Sequence, residues 1–182
     1  MLSVADLVCL LQEDRAEERS VVSGSPEYDG LRRRDAGRRE AVRSILGQRP
    51  LLTAEQLFAA AWILNHGDMV DEAKQAHELA LQAAEQGFDQ AKWLAAAALD
   101  RSLMYSGRPQ RYGTNIVPDG VGYRLWDVDP ATTDEERAEW NVPLLAEMQR
   151  RASVLSAQSP QPNLNNAPQW LLRAIERWRA TR

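Results

Sequence analysis

A chain of 182 residues with a formal net charge of −4 and a hydrophobic share of 44% can bury one core without disulfides or a structural metal. It also lacks the low-hydrophobicity, high-charge balance of a disordered segment. The mild acidity offers no global field for nucleic acid or an anionic membrane, and no apolar run approaches the length of a bilayer span. The opening residues carry Asp6 and lack both a basic segment and a small-residue cleavage site, so no export signal is expected, and the single Cys9 fits a reducing, cytoplasmic setting. Lys74 and Lys92 are the only lysines, an arginine bias expected of a GC-rich bacterial genome before any function.

In chain order, residues 2–19 read as a first helix, with Leu7, Cys9, Leu10 and Leu11 forming an apolar stripe that should bury the cysteine. Ser23-Gly24 stops it, and Ser25 before Pro26 caps a second helix that ends at Leu46-Gly47. That helix carries Arg32, Arg33, Arg34, Arg38, Arg39 and Arg43, interrupted by Asp29, Asp35 and Glu40. The spacing predicts a solvated face with partners inside the helix, in preference to a phosphate site. Thr53-Ala-Glu-Gln56 is a capping box that opens a third helix, which ends at His66-Gly67. A fourth helix runs from Val70 to Gln86, and Asp89 caps a fifth that continues to Ser106 and stops at Gly107. Such short turns force antiparallel neighbours. Ala76, Ala80, Ala83 and Ala84, then Ala91, Ala95 and Ala98, let those helices approach closely, and this hairpin resembles one tetratricopeptide or Sel1-like unit. No second copy follows at a fixed period, so a solenoid is not expected. His77 belongs to this hairpin as a packing or surface residue.

Beyond Gly107, β-branched and aromatic residues flank Pro118-Asp119-Gly120, predicting a short β-hairpin over about 111–128. Helices resume over 134–140, capped by Thr133, and over 142–155. Residues 156–167 read as a loop, and a last helix starts near Pro168 with Trp170, Leu171, Ala174, Ile175 and Trp178 on one face. The expected organisation is a helical domain over 1–155 with an inserted hairpin, a loop, and a C-terminal helix over 168–182 docked on the domain. The fold class is mainly α, a compact antiparallel helical bundle with one short hairpin.

Between Trp93 and Leu99 every residue is apolar, so that part of the helix should be enclosed on all sides. Asp100 follows directly, on the face of Trp93, Ala96, Ala97 and Met104. A carboxylate there costs several kcal/mol unless paired or hydrogen-bonded. Arg101 lies about 100° around the helix and cannot simply face it. Its partner must be His66 or the loop Arg108-Pro-Gln-Arg-Tyr-Gly-Thr114, which is rich in donors and acceptors. In one reading the loop amides meet Asp100 and fix the turn. In the other, His66, Asp68, Asp100, Arg101, Gln110 and Tyr112 line one pocket, with His66, Asp100 and Tyr112 doing acid–base chemistry and Asp68, Arg101, Gln110 and Thr114 holding a substrate.

The stretch from Ala59 to Asp68, then Ala76 to Gly87, then Trp93 to Arg101, then Gly107-Arg-Pro-Gln-Arg-Tyr-Gly-Thr114 resembles an uncharacterised bacterial domain-of-unknown-function family with a His-Gly, Asp-Arg and Pro-Gln-x-Tyr-Gly-Thr series. The resemblance covers about residues 29–144, and family members often have Gln where this chain has Asn115. It implies a helical fold and marks the polar set, without a reaction.

There is no glycine-rich phosphate loop, no nucleophile elbow, no His-x-x-x-His and no cysteine pair. No metal or other cofactor is expected, although Asp68, Asp100 and His66 would be the ligands of a carboxylate-rich divalent site. The function expected is a small-ligand pocket protein or a metal-independent acid–base enzyme acting on a polar or anionic metabolite or peptide. The alternative is an adaptor or immunity-type protein using the alanine-rich hairpin or the C-terminal helix. A small molecule or peptide is the expected partner, with a homodimer as the one self-association considered and neither nucleic acid nor membrane favoured.

Overall fold

The computed structural model describes residues 3–21, 26–159, 164–165 and 167–180. The Ser23-Gly24 stop, the Ser25 cap and part of the 156–167 loop lie outside the described residues. Within them the chain is mainly helical: α1 (Asp6–Glu18), α2 (Pro26–Gly47), α3 (Ala54–Asn65), α4 (Val70–Glu85), α5 (Gln90–Tyr105), β1 (Ile116–Pro118), β2 (Tyr123–Leu125), α6 (Asp134–Glu139), α7 (Leu145–Gln158) and α8 (Gln169–Ala180). No helix among the described residues is long and apolar enough to cross a membrane. Both expected capping boxes form. The Gln56 amide donates to Thr53 Oγ1 at 3.3 Å and the Thr53 amide to Gln56 Oε1 at 3.0 Å, and Thr133 and Glu136 repeat the exchange at the start of α6. The chain packs as two compact units, Met1–Ala98 and Leu99–Arg182, divided inside α5.

In the first unit the small residues do what their spacing requires. Ala59, Ala60, Ala61, Ala76, Ala80 and Ala95 are fully buried, so α3, α4 and the start of α5 come together with little side-chain bulk between them. His77 Nδ1 lies 2.8 Å from the Ala95 carbonyl oxygen and ties α4 to α5, as expected of a packing histidine. Two expectations need correction. Cys9 is exposed, because it lies about 200° around α1 from both Leu7 and Leu11, which are buried. Trp93 is also exposed, so enclosure of α5 begins at Leu94, beyond its first turn.

The arginine run of α2 differs most from the solvated face expected. Arg38 and Arg39 are buried, and the acids that meet this helix come largely from elsewhere in the chain. Arg38 pairs with Glu17 and lies 3.6 Å from Asp14, both on α1, and keeps only Asp35, at 2.9 Å, within its own helix. Arg32 Nη2 reaches both Asp68 oxygens, at 2.7 and 2.8 Å. Arg39 Nε donates to Glu72 Oε1 at 3.0 Å, and Arg43 donates to the same oxygen. The helical spacing of the acids inside α2 is real, since Asp35 pairs with Arg32 and Arg38 and Glu40 with Arg43. Buried Glu72 and Asp14, however, come from other helices and add well-shielded partners, and shielding strengthens an ion pair.

Glu72 joins this network to the α3–α4 turn. Its other oxygen, Oε2, accepts the Asp68 amide at 3.1 Å and the Met69 amide at 3.3 Å. A Cβ on Gly67 would stand 2.1 Å from that oxygen, so glycine is required there for the close approach of the carboxylate.

In the second unit β1 and β2 pair antiparallel, with Ile116 opposite Leu125, Val117 opposite Arg124 and Pro118 opposite Tyr123. Asp119 Oδ1 accepts the amides of Val121 and Gly122 at 2.9 and 2.8 Å and shapes the turn. The apolar face of α8 is spent on this unit: Leu171, Ala174, Ile175 and Trp178 form one core with Met104, Val117 and Trp126. Trp126 meets Trp170 and Trp178 edge to face, at centroid distances of 5.6 and 5.3 Å. Asp127 accepts the Trp178 indole N–H at 2.9 Å and pairs with Arg177, which fixes the end of the helix.

Removing one partner of a buried charge network strands the rest, whereas exposed pairs contribute little. Glu72→Ala should therefore lower the unfolding free energy by about 3–5 kcal/mol. Glu40→Ala, which breaks only the exposed Arg43 pair inside α2, should change it by about 0.5 kcal/mol or less. Urea midpoints of the two variants check the contrast.

Candidate functional site

The segment after α5 is organised by the carboxylate that the sequence singles out. Asp100 is wholly buried. Its Oδ1 accepts the backbone amides of Arg111 and Tyr112 at 2.7 and 2.9 Å, and its Oδ2 accepts the Thr114 amide at 3.0 Å and the Thr114 hydroxyl at 2.9 Å. Of the two partners the sequence allowed, the loop supplies these four donors. Each oxygen faces two of them, which leaves no room for a carboxyl proton without losing one. Burial raises the Asp100 carboxyl above its ordinary value, opposed by the donors of Tyr112, Thr114 and Arg111.

The loop can wrap a carboxylate this closely because Gly113 has φ +85°, a left-handed conformation that turns the chain between the Tyr112 and Thr114 amides. Gln110, also fully buried, closes the same loop from inside. Its Nε2 donates to the carbonyls of Trp126 and Asn115 at 3.1 and 3.3 Å, and its Oε1 accepts the Asn115 amide at 2.9 Å. Asn115 Nδ2 donates to the same Oε1 at 3.3 Å and to Thr114 Oγ1 at 3.1 Å.

Two residues with no sequence signal complete the arrangement. Arg137, buried in the short α6, donates from Nε to the Tyr112 carbonyl at 2.9 Å and from Nη1 to the Thr132 carbonyl at 3.0 Å. The Trp126 indole donates to the Arg108 carbonyl at 2.8 Å. The Tyr112 ring packs 6.0 Å from Trp140, and burial pushes its phenol above the ordinary value, keeping it protonated. Arg101 follows Asp100 on α5 and is partly buried.

His66 and Asp68 take their partners in the first unit. His66 Nδ1 lies 3.3 Å from the Asp14 carboxylate and Nε2 lies 3.9 Å from Glu18, while Asp68 is engaged by Arg32. Ligand-type atoms of Asp14, Glu18 and His66 lie within 4.8 Å of one another, the one such group among the described residues. Asp14 is already committed, because Trp62 Nε1 donates to its Oδ2 at 3.1 Å and Arg38 stands 3.6 Å from its Oδ1. A guanidinium at that distance competes directly with a cation. Burial raises the Asp14 carboxyl, yet His66, Trp62 and Arg38 outweigh it and hold the group below its ordinary value.

Beside the clamped loop the second unit has a cleft of about 340 Å³. Leu99 and Leu103, one turn apart on α5, contribute apolar lining together with Pro109 and Ala131. Arg108, Arg111, Asp129, Thr132 and Glu136 add polar groups. The two loop walls run side by side because the Gln110 amide donates to the Asp127 carbonyl and the Asp129 amide to the Gln110 carbonyl, both at 2.8 Å. Arg111 pairs with Glu136 at 3.2 Å, and Glu136 is held below its ordinary value by the Thr133 amide and by Arg111. Of the predicted site residues none lines this cleft, although Asp100, Gln110, Tyr112 and Thr114 fix the backbone that does. Comparison with family models, with curated proteins and with solved structures finds no match.

Replacing Asp100 by Asn puts an amide N–H₂ against backbone donors, and should lower stability by about 2–4 kcal/mol with the apolar core untouched. Thermal unfolding checks this. Asp14 gives a pH test. A carboxyl whose folded value lies below its unfolded value of about 3.9 stabilises the fold above that pH, and the contribution is lost as pH falls through the folded value. Asp14→Asn should therefore cost about 1–3 kcal/mol at pH 7, with the gap to the parent chain closing below about pH 4.

Proposed function

We propose that this chain is a small-ligand-binding protein whose ligand occupies the cleft beside the Arg108–Thr114 loop. One observation carries the reading: the side chains of Asp100, Gln110 and Arg137 are committed to holding the backbone around that loop, and the same loop presents Arg108, Pro109 and Arg111 to a cleft. Asp100 is a clamp in this reading and not a general base, since its oxygens already accept four donors. Tyr112 serves through its backbone, with its amide on Asp100 and its carbonyl on Arg137. The cleft volume sits at the small end of the range of about 300–1,000 Å³ typical of small-molecule sites, which suits a compact polar metabolite.

The competing adaptor reading draws on the alanine-rich hairpin and the apolar face of α8. Both are spent internally, with Ala76, Ala80 and Ala95 fully buried and Trp178 in the core of the second unit. Nucleic-acid binding would draw on the α2 arginines, of which Arg32, Arg34, Arg38, Arg39 and Arg43 are engaged by acids. A bacterial, cytoplasmic setting is part of the proposal, supported by the arginine bias and the lone Cys9.

A screen of polar metabolites followed by amide chemical-shift mapping tests the reading. Binders should perturb residues 108–111 and 129–132, and Arg108→Gln should weaken them at least tenfold, about 1.4 kcal/mol, with the melting temperature unchanged. Binders that map elsewhere, or that keep full affinity for the variant, contradict it.

A further inference from the structure

Two charged side chains stand out in the lining of the cleft. Arg111 and Glu136 neutralise one another at 3.2 Å. Arg108 and Asp129 have no such match: no ion pair joins them to one another or to any other described residue, and both line the same cleft. Among the described residues the only side-chain bond of Asp129 is local, with Oδ1 accepting the Ala131 amide at 2.9 Å, and the Arg108 guanidinium makes none. Leu99, Leu103 and Pro109 add apolar side chains to the same lining.

Resting on the small-ligand reading above, we propose that the ligand is a zwitterion, an aliphatic α-amino acid or a short peptide of such residues, with its carboxylate on Arg108, its ammonium on Asp129 and its side chain on Leu99 and Leu103. The charge balance selects this class. A dianion or phosphate would gain Arg108 but meet Asp129 with no cation to satisfy it. A simple amine would gain Asp129 but leave Arg108 unmatched. A molecule carrying both signs satisfies both and adds no net charge to a cleft whose four ionised groups sum to zero. An arginine is also suited to a carboxylate, since its planar fork matches two oxygens at once.

The test can avoid disturbing the fold. Arg108→Gln removes a guanidinium that makes no bond to any described residue, and Asp129→Asn keeps the side-chain oxygen that accepts the Ala131 amide. Isothermal titration of the full chain would use L-leucine and leucyl-leucine, L-leucinamide without the carboxylate, N-acetyl-L-leucine without the ammonium, and succinate and inorganic phosphate. Leucine or leucyl-leucine should bind, and each blocked derivative at least tenfold more weakly. Arg108→Gln should erase the discrimination against the amide, and Asp129→Asn the discrimination against the acetylated form. If succinate or phosphate binds at the cleft amides and the zwitterions do not, the ligand class is wrong while the cleft remains a binding site. If the zwitterions and their blocked forms bind equally, recognition of both charges is overturned. If neither these probes nor the wider screen perturbs the cleft, both readings fall.

Discussion

A buried carboxylate that accepts four hydrogen bonds from one loop sets the form of everything after α5. Asp100 sits where an apolar helix would otherwise exclude charge, and the burial is tolerated because Arg111, Tyr112 and Thr114 bring their donors to it. The loop is in turn constrained to the one path that delivers those amides, with Gly113 turning left-handed to do so. Arg137 and the Trp126 indole then take the carbonyls of Tyr112 and Arg108, and Gln110 ties the loop to the carbonyls of Trp126 and Asn115. The same loop carries Arg108, Pro109 and Arg111 into the lining of the cleft, so Asp100 shapes the cleft without lining it.

The first unit uses the same device at the α3–α4 turn. Glu72 gathers the amides of Asp68 and Met69 with one oxygen and two arginines with the other, and Gly67 leaves the space. In both places a helix-borne acid holds the backbone of an adjacent turn, and a glycine permits its close approach or the turn itself. His66-Gly67 and the Tyr112-Gly113-Thr114 run thus fall in carboxylate-held turns, and Asp100 of the Asp-Arg pair is the helix-borne acid that holds the second. That is a structural reason for a polar series that a chemical reading would group into one catalytic set.

Features that depend on neighbours in sequence were legible. The Thr53 and Thr133 boxes, the alanine spacing of α4 and α5 and the hairpin around Pro118-Asp119-Gly120 each need only residues within a turn or two. Asp100 was legible too, because an acid at the end of an apolar helix demands a partner whatever the fold. Features that depend on distant partners were not. Arg38 and Arg39 look solvated when only Asp29, Asp35 and Glu40 are in view, and the further acids that meet them in the interior lie on α1 and α4. Cys9 was misplaced by an apolar run that obscured its helical phase. Arg137 sits in an ordinary charged stretch, and nothing local announces that its guanidinium will hold two loop carbonyls. The cleft lining was unreadable for the same reason, since Leu99, Arg108, Asp129 and Glu136 meet only through the fold.

The most direct test of the clamp is native-state hydrogen exchange at the amides of Arg111, Tyr112 and Thr114. If Asp100 holds the loop, these three should exchange only when the surrounding unit opens, as slowly as the interior amides of α8 and far more slowly than exposed loop amides without a hydrogen-bond partner. Exchange at the rate of an unprotected loop would mean that the carboxylate does not fix this backbone, and the account built on it would fail.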